Sequence, residues 1–103
     1  MVLSKKEISL IKQFFFDKPV LRAYLFGSFS RNEADEKSDV DILVDLDYSR
    51  HIGLGFVTMK NQLENLLSRR VDLVSSQAVS EFVSPFIDAD KRLIYEATTS
   101  NPY

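Results

Sequence analysis

Two aspartates separated by one residue, Asp39 and Asp41, stand at the start of an apolar run that continues to Leu46. In a β-strand, residues i and i+2 point to the same face, and their Cα atoms lie roughly 6.5 Å apart. Side-by-side carboxylates repel each other, which raises the pKa of one of them unless a cation joins them. Mg²⁺ prefers carboxylate oxygens and keeps substrate phosphates among its ligands. The pair therefore predicts a clamp for metal ions on a triphosphate, although a turn cap and a solvated surface aspartate remain the alternative.

A candidate phosphate-binding turn precedes this pair. Residues 21–26 are apolar and β-favouring, which predicts a buried strand that Gly27 ends. Glycine permits positive φ and lets a phosphate approach the backbone, and Ser28 adds a hydroxyl that can donate to a phosphate oxygen. A short helix over 29–34 would turn its free N–H groups and Arg31 toward the same anion. Gly-Ser is also a common dipeptide in ordinary turns, so it indicates a phosphate-binding turn only in combination with the aspartates.

A third carboxylate, Asp72, follows Arg69 and Arg70 in a short apolar segment. This segment, residues 71–74, predicts another buried strand. If that strand lies beside the strand of Asp41, Asp72 completes a carboxylate triad. It can then help to deprotonate an attacking hydroxyl or share a metal with Asp41. The alternative is an edge-strand aspartate paired with Arg69 or Arg70.

Taken together, these residues resemble the signature of the DNA polymerase β-like nucleotidyltransferase superfamily. The chain length is similar to that of its minimal nucleotidyltransferases, the antitoxin partners of HEPN ribonuclease toxins. The matching positions are Phe26, Gly27, Ser28, Arg31, Ala34, Ser38, Asp39, Asp41, Ile42, Leu43 and Val44, with Asp72 as the third family carboxylate. Ser30 and Asn32 stand where many members have Ala and Gly. Since asparagine tolerates left-handed backbone better than most residues, we expect the turn to be kept.

The resemblance implies an α/β (α+β) nucleotidyltransferase fold, a small mixed β-sheet flanked by helices. The order of the predicted elements indicates the same architecture. It also implies that Asp39, Asp41 and Asp72 are catalytic and bind metal, with two Mg²⁺ ions. The resemblance further implies that the nucleotide is bound by the loop residues Gly27, Ser28, Arg31 and Ser38.

ATP is the implied substrate, and the implied acceptor of AMP is a tyrosine of a HEPN toxin. Two alternatives stay open. The chain can be an antitoxin with an inactive site that neutralises its partner by contact, or an enzyme that modifies a small molecule. The second alternative is disfavoured, because such enzymes carry an extra helical domain.

Length and charge restrict the function further. A chain of 103 residues is expected to form one domain, 1–103, without a second domain for a template or tRNA. Its net charge of −2 offers no broad basic surface, so nucleic acid is not an expected partner. The absence of cysteine excludes thiolate metal sites. No signal peptide or membrane span is apparent, so a cytoplasmic location is expected. The oligomeric state is left open.

The remaining elements are predicted from periodicity. Ser4 and Glu7 form a capping box before a helix over 5–16, and Pro19 follows its end. The other predicted elements are strands at 20–26, 39–46, 71–74 and 92–95, a helix at 56–68, a helical turn at 78–82 and a helix at 85–90.

Some side chains are assigned by the same patterns. Leu66 is predicted on the apolar side of helix 56–68, and Ser84 is predicted to cap the last helix, which buries Phe86 and Ile87. Residues 97–103 are expected to fray. The loop residues Arg50 and His51 are expected at the surface, and no role is assigned to them.

Overall fold

The computed structural model describes residues 1–97, which form a four-stranded sheet with helices on both faces. The predicted α/β architecture is confirmed. The helices are α1 (Lys5–Phe15), α2 (Gly55–Leu67) and α3 (Ser84–Asp90), and the strands are β1 (Val20–Phe26), β2 (Val40–Leu46), β3 (Val71–Ser75) and β4 (Arg92–Glu96). None of the helices within these residues combines the length and apolar character needed to cross a bilayer.

The sheet is mixed, with strand order β3-β2-β1-β4. Strand β1 pairs antiparallel with both β2 and β4, whereas β2 and β3 pair in parallel. Parallel neighbours need a crossover connection, and α2 supplies it between β2 and β3. This crossover brings the starts of β2 and β3 to the same end of the sheet.

Helices α1 and α2 cover one face and form the core with it. The Ser4 hydroxyl accepts from the Glu7 N–H and the Glu7 carboxylate accepts from the Ser4 N–H, so the predicted capping box begins α1. The core side chains of β2 are Val40, Ile42, Val44 and Leu46, and the residues between them point to the opposite face of the sheet. The fully buried members of the core include Ile11, Phe15, Ala23, Leu25, Val40, Ile42, Val44 and Leu63.

The opposite face carries Asp41, Leu43 and Asp45 of β2, and α3 lies over part of it. Ile87 of α3 and Leu43 are both buried and line one crevice. The Lys91 ammonium, just after α3, lies 4.7 Å from the centre of the Tyr24 ring. The second face is thus half covered, which leaves its polar end open for a site.

Several local predictions are wrong. Leu66 is 40% exposed and Phe86 is 73% exposed, so neither belongs to the core. Ser84 is the first helical residue of α3 and Val83 occupies the cap position without a side-chain hydrogen bond. The short helix expected at 29–34 is a 3-10 turn at Gly27–Phe29, and the turn expected at 78–82 is a 3-10 turn at Ser76–Ala78. The fraying predicted for 97–103 concerns residues that, beyond Ala97, lie outside the described part.

Candidate active site

The pairing register brings the predicted carboxylates together. Asp41 is aligned with Asp72 across the parallel β2–β3 pair, and with Phe26 across the antiparallel β1–β2 pair. Aligned residues on neighbouring strands point to the same face, which for Asp41 is the face opposite the core. Asp39 precedes β2 by one position and is about half exposed. The strand of Asp72 therefore lies beside the strand of Asp41, which is the condition that the sequence analysis set for a role of Asp72.

Asp41 has a raised pKa, from its ordinary 3.8 to about 6. The largest cause is burial, which disfavours the charged carboxylate. Repulsion from Asp72 adds to this effect, followed by repulsion from Asp39, while the positive charge of Arg31 acts in the opposite direction. The negative charges of Asp72 and Asp39 thus raise the pKa of Asp41, as expected of carboxylates close enough to share a cation.

This raised pKa makes the stability of the chain depend on pH. The folded chain keeps the Asp41 proton to a higher pH than the unfolded chain, so the free energy of unfolding falls as the pH rises from about 4 to about 6. We expect Asp41→Asn to remove this fall and to be more stable than the wild type at pH 7. The gain should be about 1–2 kcal/mol after allowance for solvent screening.

Urea unfolding of both proteins between pH 4 and 8 measures this difference directly. The shifted carboxylates of Glu7, Asp17 and Asp47 are shared by both proteins and cancel in the comparison. An unchanged difference in stability from pH 4 to pH 8 would show that Asp41 is not perturbed.

Gly27 lies directly against the Asp41 carboxylate. Its φ is +72°, in the left-handed region that side chains disfavour, and a Cβ built on it would overlap Asp41 Oδ2. The glycine therefore has two functions, since it turns the chain after β1 and leaves room for the carboxylate.

We expect Gly27→Ala to destabilise the fold by about 2 kcal/mol, because alanine is strained at positive φ and displaces Asp41. The matched control is Gly55→Ala in the first turn of α2, where an added Cβ meets nothing within 4 Å. Chemical denaturation of both variants measures the effect. Equal stability of the two would contradict the steric role of Gly27.

Arg31 is anchored beside the turn by two carboxylates. Its Nη1 lies 2.6 Å from Asp90 Oδ2 and its Nε lies 2.9 Å from Glu33 Oε1. Both hydrogen bonds raise the pKa of the Arg31 guanidinium, and the bond to Glu33 has the larger effect. The Ser30 hydroxyl also donates to the backbone carbonyl of Asp90. The last residue of α3 therefore holds the turn in place. The two ion pairs use Arg31 Nη1 and Nε, so Nη2 belongs to neither of them.

Asp39 forms an ion pair with Arg70, not with a neighbour on its own strand. Arg70 Nε lies 2.9 Å from Asp39 Oδ1, and Arg70 Nη2 donates to the Lys37 carbonyl at 2.6 Å. Arg69 instead pairs with Glu7 at 2.8 Å. Asp72 does lie on an edge strand, as its alternative interpretation expected, but within residues 1–97 Arg69 and Arg70 pair with Glu7 and Asp39 and not with Asp72.

The loop between the turn and β2 is held by its own polar groups. The Ser38 hydroxyl accepts from the Asp35 N–H at 2.9 Å and donates to Asp35 Oδ1 at 3.2 Å, so it is occupied within the loop. Asn32 has φ +61°, as expected of an asparagine that replaces glycine in this turn. Ser38 thus orders the loop before Asp39, and its hydroxyl can donate to a nucleotide only if it leaves Asp35 Oδ1.

The donor set fits magnesium that arrives with a nucleotide. Among residues 1–97, no three His, Cys, Asp or Glu side chains are arranged to hold a metal ion by themselves. Mg²⁺ sites that bind nucleotides commonly use one or two carboxylates and complete the coordination with phosphates and water. A cation between Asp41 and its acidic neighbours would also remove the repulsion that raises the Asp41 pKa.

Residues at the far end of β2 lie away from this site. Asp47 is roughly 20 Å from Asp41 along the strand direction, and its carboxylate caps a turn at Ser49. Arg50 donates to the carbonyls of Lys18 and Asp17, and so has a structural contact. His51 is exposed, as predicted.

Two residues that sequence reasoning missed are part of the arrangement, Asp90 through Arg31 and Arg70 through Asp39. Arg70 was visible beside Asp72 in the sequence, but only the pairing of β3 with β2 gives it Asp39 as a partner. Nothing in the local sequence around Asp90 signals its contact with a residue 59 positions earlier.

Comparison with known proteins agrees with this geometry. A protein adenylyltransferase, MntA of Thermococcus cleftensis, is 43% identical over 60 residues, which cover 58% of this chain and 60% of that protein. A chain in a crystal structure of a toxin–antitoxin with AMP-PNP superposes with a TM-score of 0.74 at 22% identity, and the match covers 89% of this chain and 74% of that one.

A third match is a chain in the structure of the tri-AMPylated HEPN toxin of Shewanella oneidensis in complex with MNT antitoxin. Its TM-score is 0.70 at 20% identity, with 92% of this chain and 74% of that chain covered. At these identities the solved structures show the shared fold alone. Aligned segments span about 60–70% of the length of the matched sequence relatives. Residues 9–100 match the family described as Polymerase beta, Nucleotidyltransferase, and the chain belongs to that family.

Proposed function

We propose that this chain is a magnesium-dependent adenylyltransferase that moves AMP from ATP to a tyrosine hydroxyl of a HEPN-type toxin and so acts as its antitoxin. The observation that carries the proposal is the register of β2 and β3, which aligns Asp41 with Asp72 beside the Gly27 turn. A triphosphate at the turn would then lie next to carboxylates that repel one another until a cation is bound.

Each side chain has a role in this reaction. The turn at Gly27 and Ser28 would bind the β- and γ-phosphates through backbone N–H groups and a hydroxyl. Asp39 and Asp41 would hold the metal, with Asp72 as an additional ligand. Bound Mg²⁺ ions supply charge neutralisation at the α-phosphate and at the pyrophosphate leaving group. Arg31 would contact the phosphates, and Ser38 would line the nucleotide site.

The bond changes involve the acceptor hydroxyl and the α-phosphate. The acceptor oxygen forms a bond to the α-phosphorus, the bond from that phosphorus to the bridging oxygen breaks, and pyrophosphate leaves. The acceptor proton passes to Asp72, or to water if Asp72 serves only as a metal ligand. The half-covered sheet face leaves this end of the site open to a large acceptor such as a protein.

Two comparisons support the choice of acceptor. The relative from Thermococcus cleftensis is named a protein adenylyltransferase, and the Shewanella oneidensis complex contains an AMPylated HEPN toxin. The described residues form only the sheet and its helices, with no separate pocket domain for a small acceptor within 1–97. A protein that brings its own hydroxyl to the open face fits this arrangement.

The test is transfer of label to a candidate HEPN protein from the same genome. The two proteins are incubated with Mg²⁺ and ATP labelled at the α-phosphate, and the products are separated on a denaturing gel. Label on the partner is expected, and ATP labelled at the γ-phosphate should give none, which distinguishes AMP transfer from phosphorylation. A tight complex without label would overturn the proposal and favour an antitoxin that acts by contact.

A further inference from the structure

Arg70 makes three contacts with the residues just before and at the start of β2. Its backbone carbonyl accepts from the Val40 N–H at 2.9 Å, which fixes the backbone of Arg70 directly before β3. Its guanidinium pairs with Asp39 Oδ1 at 2.9 Å and donates to the Lys37 carbonyl at 2.6 Å. The two side-chain contacts use the planar guanidinium in two directions. Arg70 therefore places its positive charge directly beside Asp39.

This ion pair has little value for stability. The side chain of Arg70 is 71% exposed and that of Asp39 is 46% exposed. Pairs in such surroundings contribute about 0–1 kcal/mol because water and salt screen them. The position of the charge has another consequence. A divalent cation bound at Asp39 would lie next to the guanidinium and be repelled by it, whereas an anionic metal–nucleotide complex would be attracted.

We propose that Arg70 determines which form of the metal the site accepts. It disfavours the bare divalent cation and favours the metal already bound to a nucleoside triphosphate. The inference rests on the proposed function, because it assumes that Asp39 faces a metal–nucleotide substrate. Its consequence is that the site stays free of bare cation and fills when nucleotide and metal arrive together.

The proposal predicts opposite changes for two ligands in the variant Arg70→Gln. Affinity for Mn²⁺ alone, measured from the electron paramagnetic resonance signal of free Mn²⁺, should rise about five- to tenfold. Affinity for the Mn²⁺ complex of α,β-methylene-ATP, measured by calorimetry, should fall by a similar factor. The methylene link blocks the reaction, so binding is measured without turnover. Both changes should shrink in high salt, which screens exposed charges.

Two further variants separate charge from structure. Arg22→Gln removes an equal charge elsewhere on the same sheet face, where Arg22 Nε lies 3.0 Å from Asp45 Oδ2 and Nη1 lies 3.7 Å from Glu96 Oε2. That pair lies roughly 13 Å along β2 from Asp41, beyond a screening length of about 8 Å, so neither affinity should change. Arg70→Lys keeps the charge and should retain most of the selectivity.

The outcomes distinguish this inference from the proposed function. If Arg70→Gln lowers the affinity for both ligands, Arg70 only holds the loop at Lys37 in place, and the inference is overturned. If it changes neither affinity, the inference is also overturned. In both cases, binding of the complex and label transfer by the wild-type protein would leave the proposed function standing. A wild-type protein that does not bind the metal–nucleotide complex would overturn both proposals.

Discussion

Transfer of AMP is expected to fall at least about a thousandfold when Asp39 and Asp41 are both replaced with alanine, while the fold is retained. Loss of groups that stabilise developing charge in a reaction typically costs factors of this size, and here the metal ligands themselves are removed. The fold should survive because Asp39 is half exposed and Asp41 carries an unfavourable charge at neutral pH. Label transfer measures the activity, and circular dichroism with thermal unfolding measures the fold.

The matched control for this double variant is Asp45→Ala. Asp45 lies on the same face of β2 but pairs with Arg22, away from the Gly27 turn. It should lose little transfer activity, since its ion pair is partly exposed and contacts none of the proposed ligands. Retained transfer in a well-folded Asp39/Asp41 double variant would remove both residues from the mechanism.

Asp72→Asn is expected to reduce transfer by about a hundred- to ten-thousandfold, the range over which a positioned base contributes to a rate. The variant keeps the shape of the side chain and removes its charge. Because Asp72 also repels Asp41, the pKa of Asp41 should move back toward its ordinary value. The rate of label transfer at pH 7 measures the first effect, and the pH dependence of stability measures the second.

The conditions under which Asp72→Asn regains activity distinguish a role of Asp72 as base from a role as metal ligand. If Asp72 is the base, activity should recover as the pH approaches the pKa of the acceptor tyrosine, about 10, where the hydroxyl ionises by itself. If it is a metal ligand, activity should recover instead at high Mg²⁺ concentration. A variant as active as the wild type at all pH values and Mg²⁺ concentrations would show that Asp72 does neither.

Much of the fold could be predicted because its signals are local. The capping box at Ser4 and Glu7, the alternation along β2 and the helical period of α2 all act over a few residues, and the elements lie close to the predicted bounds. The tolerance of Asn32 for positive φ is also a property of one residue. These features depend little on what lies elsewhere in the chain.

The errors in predicted burial occur where the surroundings of a side chain depend on a distant element. Leu66 fits the apolar side of α2 by spacing, yet the core is filled by Met59, Leu63 and Leu67, and Leu66 faces outward. Phe86 and Ile87 are adjacent on a two-turn helix, so only one of them can face the sheet. Ile87 takes that position. Periodicity predicts which side of a helix is apolar, but it does not predict how much of that side the rest of the protein covers.

The sequence by itself indicated the kind of chemistry, because the types and spacing of Gly27, Ser28, Asp39 and Asp41 are local properties of the chain. It also placed Asp72 in a strand. Only the tertiary structure decided which groups meet. The parallel β2–β3 register aligns Asp41 with Asp72, and the start of β3 brings Arg70 to Asp39.

Packing of α3 on the second face likewise brings Asp90 to Arg31. Ion pairs and pKa shifts depend on distances of a few ångströms between charges. In this chain those distances are set by strand pairing and helix packing between segments far apart in sequence. The spacing of residues along the chain therefore indicates which groups are present, whereas their partners and their charge states follow from the fold.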